Sequence, residues 1–484
     1  MTTIELEQYI AGRWAPGGGG LVQSADPAHP DVLVAAGDGA TAADLDRAVT
    51  AARGAQPAWA ATPMHERGAI LQRAGSLLRD AAEKRGAELA REEGKTLAEG
   101  IGEVRRAAQI LDYAGRAGDR EAGSLFESPR PGERILVTRH PLGTVGLITP
   151  FNFPIAIPAW KIAPALVYGN AVVWKPADPV PLLAMRLAEA LEDAGLPAGV
   201  LNLVIGDSAL GRALVAHSGI DAISFTGSTP VGRSIAAAGA ARGIPVQAEL
   251  GGKNAAIVLA DADLELAVAQ VGAGAFASSG QKCTATSRLI VADEIADEFL
   301  ARIAARANGL AVGDPLAPGI DLGPVVSAAA RTRIDAGVAE AVAGGATRLT
   351  SGALELDAGL QRGHFVRPEV IDCTGVDTSL WNEELFGPVL AVRRAGSVEE
   401  AFRLANEGEF GLSGAVFTDS LVTALSAIER IEVGMLHVNS ETAGADPHVP
   451  FGGAKGSGLG PQEQGAAARD FYTRSTTVYL RGGS

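Results

Sequence analysis

Four short apolar runs, Thr144-Val-Gly-Leu-Ile148, Ala171-Val-Val-Trp174, Leu201-Asn-Leu-Val-Ile205 and Ala222-Ile-Ser-Phe225, each lead into a stretch with helical spacing. Runs this short and this apolar suit strands buried on both faces, and their alternation with helices is the sequence form of βαβ units in a parallel sheet. A second series begins near Gly251, with strand candidates Ala255–Leu259, Ser287–Val291, Ala415–Phe417 and Gly434–Val438. The chain therefore carries two α/β layers. Ahead of them, from Thr41 to Gly118, Ala-rich text with apolar positions three and four apart predicts two or three amphipathic helices.

Two further segments alternate and have one polar face, Arg134-Ile-Leu-Val-Thr-Arg139 and Ser475-Thr-Thr-Val-Tyr-Leu480. They read as exposed strands in need of a partner, and so as an oligomerisation arm. The glycine run 17–20 reads as a flexible turn after an N-terminal hairpin.

At 484 residues, 47% of them hydrophobic and 20% charged, the chain can bury more than one core. Its net charge of −15 argues against nucleic acid and anionic membranes as partners. The first residues lack the basic and apolar regions of a signal peptide, and no apolar stretch spans a bilayer, so a cytoplasmic location is expected. There are two cysteines, Cys283 and Cys373, too few for a disulfide framework. Cys373 follows Val370-Ile-Asp372 and reads as a structural residue at a strand end. No metal site is expected.

Three places suggest chemistry. In Ala277-Ser-Ser-Gly-Gln-Lys-Cys-Thr284, Cys283 sits in small polar text where Gly280 permits close approach to a ligand and Lys282 could favour thiolate. In Gln247-Ala-Glu-Leu-Gly-Gly252, Glu249 is placed for partial burial, which would raise its pKa toward use as a general base. In Ile148-Thr-Pro-Phe-Asn-Phe-Pro154, prolines bracket Asn152 at the mouth of a strand, where an amide can donate to a developing oxyanion. Each has a plainer reading as a buried thiol, a solvated acid or a turn residue.

Together, with Cys283 lying 283 − 249 = 34 residues after Glu249, these segments resemble the aldehyde dehydrogenase superfamily, from Tyr9-Ile-Ala-Gly-Arg-Trp14 to Pro450-Phe-Gly-Gly453. The resemblance implies an α/β fold of two Rossmann-like parallel-sheet domains and a small β oligomerisation arm. The implied boundaries are 1–118 and 141–250 for the cofactor domain, 251–450 for the catalytic domain, and 119–140 with 466–484 for the arm. It implies Cys283 as nucleophile, Glu249 as base for hydrolysis, Asn152 with the Cys283 N–H as oxyanion hole, and Lys161 nearby.

For the cofactor, Trp174-Lys-Pro-Ala-Asp178 is similar to the family's ribose segment, giving roles to Lys175 and Asp178. Most NAD-preferring relatives carry Glu where Asp178 stands, so NAD is expected and NADP is also open. Phe225-Thr-Gly-Ser-Thr-Pro-Val-Gly232 is similar to the turn facing the pyrophosphate, through Phe225, Gly227, Ser228 and Gly232. Asn382-Glu-Glu-Leu-Phe-Gly387 is similar to the nicotinamide segment, through Glu384 and Phe386. Further cofactor contacts are implied at Thr149, Pro150, Gly206, Gly211, Leu250 and Gly251.

The implied substrate positions are Phe153, Trp160, Arg105, Lys282, Thr284, Ala445 and Phe451. Residues Asn439–Gly453 and Gly460–Gly465 look most like the 2-oxoglutarate semialdehyde (2,5-dioxopentanoate) dehydrogenases, which points to a carboxylated semialdehyde with Arg105 or Lys282 as anion partner. Another aliphatic or aromatic aldehyde is the alternative substrate. A non-catalytic structural protein on this fold is the alternative of a different class, and retention of Cys283, Glu249 and Asn152 argues against it. Coenzyme A-acylating and acyl-phosphate-reducing relatives generally lack the counterpart of Glu249. A homodimer or homotetramer is implied.

Overall fold

The computed structural model describes residues 3–120 and 122–482. The quoted runs become the strands Thr144–Ile148, Ala171–Lys175, Leu201–Leu203 and Ala222–Thr226. With Val246–Glu249 they form five parallel neighbours in an eight-stranded sheet. The hairpin Gln8–Ile10 with Arg13–Ala15 finishes one edge antiparallel, and Gly458–Leu459 finishes the other. Both faces are covered, as a parallel sheet requires. Val145, Leu147, Val172 and Trp174 enter one core, and Ala171, Val173, Ile223 and Phe225 enter another.

The second series forms a seven-stranded sheet in the order Thr347–Arg348, Glu369–Asp372, Val389–Ala395, Thr286–Ala292, Asn254–Val258, Ser413–Phe417, Met435–Val438. Every pair is parallel except the first. The chain leaves the first sheet at Glu249, the carboxyl end of Val246–Glu249, and enters the second five residues later at Asn254, the amino end of its strand. Cys373 follows Glu369–Asp372 and is fully buried among Val389, Trp381 and Ile371.

Four helices fill 42–115 where two or three were expected: Ala42–Ala61, Met64–Asp80, Ala82–Glu93 and Leu97–Gly115. The breaks are local: Pro63 starts the second helix, and Gly94, at φ +98°, ends the third. Thr41 with Asp44, and Thr96 with Glu99, close reciprocal capping boxes on the first and fourth.

The glycine run is corrected from flexible to fixed. Gly17 and Gly19 donate to the Asp38 and Gly39 carbonyls, and a Cβ on Gly17 would strike the Gly39 backbone. The two alternating segments lie in Glu133–Pro141 and Thr473–Arg481 and pair antiparallel, Arg134 opposite Leu480, with Ser124–Glu127 on the outer side. This three-stranded sheet leaves Leu125, Phe126, Tyr479 and Leu480 exposed.

Candidate active site

Cys283 lies after a turn of the wrong hand. Ser278, Ser279 and Gly280 have φ of +55°, +52° and +68°, three left-handed residues in succession. Each non-glycine residue in this region costs about 1–2 kcal/mol, so the surroundings must impose it. Glu99 accepts from Ser278 N at 2.6 Å and Ser278 Oγ at 3.2 Å, and Ser279 Oγ donates to the Gly323 carbonyl at 2.7 Å. Gly280 is needed because a Cβ there would strike the Gly387 carbonyl and lie 2.7 Å from Pro388 N. The close approach is thus to the protein's own backbone and not to a ligand.

The thiol is pushed up to about 12, first by burial and then by the charges of Glu384 and Glu249. Beside it, Lys282 Nζ is held by the Ala273 carbonyl at 3.3 Å and lies 3.8 Å from Glu441, and burial lowers its own pKa. Its ammonium leans toward Glu441 first, with Cys283 as a weaker charge partner.

Asn152 is buried, and its Nδ2 donates to the Gln281 carbonyl at 2.9 Å, two residues before Cys283. An amide nitrogen has two hydrogens, so one holds the loop and a second remains. Beyond the thiol, Asn254 Nδ2 donates to the carbonyls of Cys283 and Ala285, at 2.8 Å each. The Asn152 bond reaches across 129 residues of chain, and the Asn254 bonds across 29 and 31, to the same loop.

Glu249 ends its strand, 3% exposed, with Oε2 buried and without a hydrogen-bond partner among the described residues. Burial, then the neighbouring Glu463, push its carboxyl well above the ordinary range, while Lys161 and the Gly453 N–H oppose them. Lys161 is locked: its Nζ pairs with Glu463 and donates to Ser224 Oγ at 2.9 Å, entirely out of solvent. Sequence reasoning missed Glu463. Its signal was a lone acid in Gly460–Gly465, a stretch quoted there only for likeness.

On the nucleotide side, Ser228 precedes the helix Thr229–Arg242 without capping it, and no acid occupies its first turn. Thr226 and Thr229 bury hydroxyl oxygens that have no hydrogen-bond partner among the described residues. A Cβ on Gly232 would strike Leu250, and one on Gly227 would strike the Phe225 ring, so both glycines serve close packing. Lys175, buried, pairs with Asp178, whose side chain is 46% exposed. Gly211 faces the Lys175 chain, and Gly206 faces Leu210. Thr149 Oγ1 accepts from Trp174 Nε1 at 2.9 Å, one residue before Pro150. Glu384 accepts from Gly252 N at 2.9 Å and presses on Gly251; burial pushes it up to about 7. Phe386, at φ +53°, meets Phe151 edge-on at 5.7 Å. Uncapped helix N–H groups, unpaired hydroxyls and an ammonium as donors, with an exposed carboxylate as acceptor, make a set that fits a dinucleotide.

On the substrate side, Trp160 packs on Phe451 at 5.2 Å and Phe153 lies 3.6 Å under Lys95 Nζ. The Thr284 carbonyl accepts from Thr442 Oγ1 at 2.7 Å, and Ala445 is half-buried in the following loop. Arg105 is corrected: its guanidinium pairs with Glu83 at 2.7 Å on the open surface, and the next residue, Arg106, reaches that loop through Asp446 at 3.2 Å. Trp160 also lines a small cavity of about 30 Å³ with Tyr113, Arg120 and Gln464, in which Arg120 is the only charged lining residue among the described residues. Among the described residues no helix is long and apolar enough to cross a membrane, and no cluster of three His, Cys, Asp or Glu side chains could hold a metal.

Residues 14–478 match the model of the "Aldehyde dehydrogenase family". The alpha-ketoglutaric semialdehyde dehydrogenase of Bacillus subtilis is 41% identical, covering 98% of this chain and 97% of its own. The 2,5-dioxopentanoate dehydrogenase of Saccharolobus solfataricus is 37% identical, covering 98% of each. A solved betaine aldehyde dehydrogenase from Staphylococcus aureus in complex with NAD+ superposes with a TM-score of 0.94 at 31% identity, covering 98% of this chain and 94% of that one. With nearly the whole chain matched, and the fold shared with solved relatives, this protein belongs to the aldehyde dehydrogenase family.

Proposed function

We propose that the protein oxidises a carboxylated semialdehyde such as 2-oxoglutarate semialdehyde to the carboxylate, with NAD, through a thioester on Cys283. The observation that carries this reading is the convergence of the Asn152 amide, the Cys283 thiol and the partnerless Glu249 oxygen on one buried site. The relatives at 37% and 41% identity support the substrate class, and Arg120, which stacks on the Tyr113 ring and lines the same cavity as Trp160, is the cation proposed to meet a negative substrate tail.

Attack requires the Cys283 proton to leave, since the thiol stands near 12 in this state. That proton passes to solvent at the half-buried thiol, so thioester formation does not draw on Glu249, whose burial makes its carboxylate a strong enough base for the later hydrolysis. As Sγ adds to the carbonyl, the free hydrogen of Asn152 and the Cys283 N–H receive the developing oxyanion. When bound, the nicotinamide supplies the acceptor for the substrate's hydride. Glu249 then takes a proton from water, which attacks the thioester and frees the thiol. Ser228, Thr229 and the open helix end would hold the phosphates; Lys175 and Asp178 the ribose; Glu384 and Phe386 the nicotinamide half.

The test is Glu249→Ala. Stopped-flow absorbance should show a rapid burst of about one reduced cofactor per site, followed by turnover about 10²–10⁴-fold slower than the parent. Mass spectrometry of the quenched protein should find an adduct on Cys283, and Cys283→Ala should give no burst. Near-parental turnover by Glu249→Ala without an adduct overturns the role of Glu249.

The arm sheet, with Leu125, Phe126, Tyr479 and Leu480 exposed, supports a homodimer or homotetramer.

A further inference from the structure

Both loops of the oxyanion site are tied to one helix start. Lys95, just before the helix Leu97–Gly115, donates to the Asn152 carbonyl and pairs with Glu103 at 2.7 Å, with both side chains 2% exposed. Glu103 accepts from the N–H groups of Ile155 and Ala156 at 3.1 and 3.2 Å. Those groups open the helix Ala156–Val167, which has no side-chain cap of its own. One turn earlier, Glu99 uses one oxygen for its own helix cap and the other for Ser278. Glu99 and Glu103, four residues apart, share one face of this helix, and Lys95 lies just ahead of its N-cap Thr96. Two of them grip the Asn152 loop, and the third grips the left-handed turn before Cys283.

We infer that Lys95, Glu99 and Glu103 are positioning residues for the oxyanion site: they fix where the Asn152 amide stands relative to the Cys283 thiol. None of them is placed to touch the cofactor segments described above. The inference rests on the proposed role of Asn152. A fold built only for stability would not need buried charges here, because a buried ion pair seldom stabilises more than apolar side chains of the same size. What the charges supply is direction: an ammonium aimed at one carbonyl and a carboxylate that accepts two successive N–H groups.

The experiment is a double-mutant cycle on the full-length enzyme with a semialdehyde and NAD. Lys95→Met should lower kcat about ten- to a hundredfold, the scale of a 1 Å misplacement, while NAD affinity by fluorescence titration stays within about twofold. In an Asn152→Ala background, Lys95→Met should lower kcat no further, because it acts through the amide already removed. Should Lys95→Met not accumulate as folded protein, Lys95→Met/Glu103→Gln takes its place. That pair removes both members of the ion pair together and retains an acceptor for Ile155 and Ala156. Equal loss in both backgrounds, or no loss in either, overturns the inference. An Asn152→Ala enzyme with parental kcat instead overturns the role of Asn152, and the inference falls with it for a separately visible reason.

Discussion

On the nucleotide side, Asp178 remains 46% exposed, Ser228 caps nothing, and glycines 227 and 232 are small because the Phe225 and Leu250 side chains lie where a Cβ would be. On the thiol side, three left-handed residues are held by Glu99, Gly323 and Gly387, and the amide and base sit among buried charges. The first region is a surface that backbone and small residues leave open for a ligand. The second is held in a costly shape by groups that are distant in sequence. Substitutions should accordingly tune the first and disable the second.

The largest effect is expected at Gly280. Gly280→Ala adds a Cβ against the Gly387 backbone at a φ of +68°. Repulsion and the left-handed penalty should displace Cys283 and lower kcat/KM about a hundredfold, with NAD affinity retained. Steady-state kinetics with a fluorescence titration of NAD measures both. An active Gly280→Ala enzyme would show that the thiol loop is as tolerant as the nucleotide side.

Asp178→Ser should raise the NADP to NAD ratio of kcat/KM about tenfold, about 1.4 kcal/mol of removed repulsion. An unchanged ratio would place Asp178 away from the ribose and erase the proposed opening on that side. The smallest effect is expected at Arg105, whose exposed partner Glu83 holds it on the surface. Arg105→Leu should leave KM for a carboxylated semialdehyde within about twofold, as exposed ion pairs contribute little.

The same contrast explains what could be read from the chain alone. Parallel strands declare themselves through continuous apolar runs, so Thr144–Ile148 and Ala171–Lys175 were legible, as was Asn254–Val258 within one residue. Val389–Ala395 was not, because Arg393 and Arg394 interrupt it; Arg393 folds onto the Trp381 ring at 4.4 Å and Arg394 pairs with Asp297 at the rim. Gly94 and Pro63 mark breaks that helical periodicity passes over.

Motif likeness pointed to Cys283, Glu249 and Asn152, which the structure brings to one site. It could not supply Glu463, nor the lean of Lys282 toward Glu441, because both depend on which loop lies opposite. Lys95, Glu99 and Glu103 had a local signal, a Thr96-x-x-Glu99 box after Gly94, but the box announces only a helix start. That one carboxylate also grips a turn 179 residues away is a property of the tertiary structure.

This last bond bears on when the site comes into being. Glu99 leaves the ribosome long before Ser278 does, and a turn with three left-handed residues is scarcely sampled by a free chain. The nucleophile's loop therefore takes shape late, when the second sheet docks against a helix that is already there. A piece of the protein beginning at Gly251 would include the cysteine and every strand of the seven-stranded sheet, yet lack the group that bends its loop. A thiol that gains its setting only on completion of the fold meets the Asn152 amide and the Glu249 carboxylate only then.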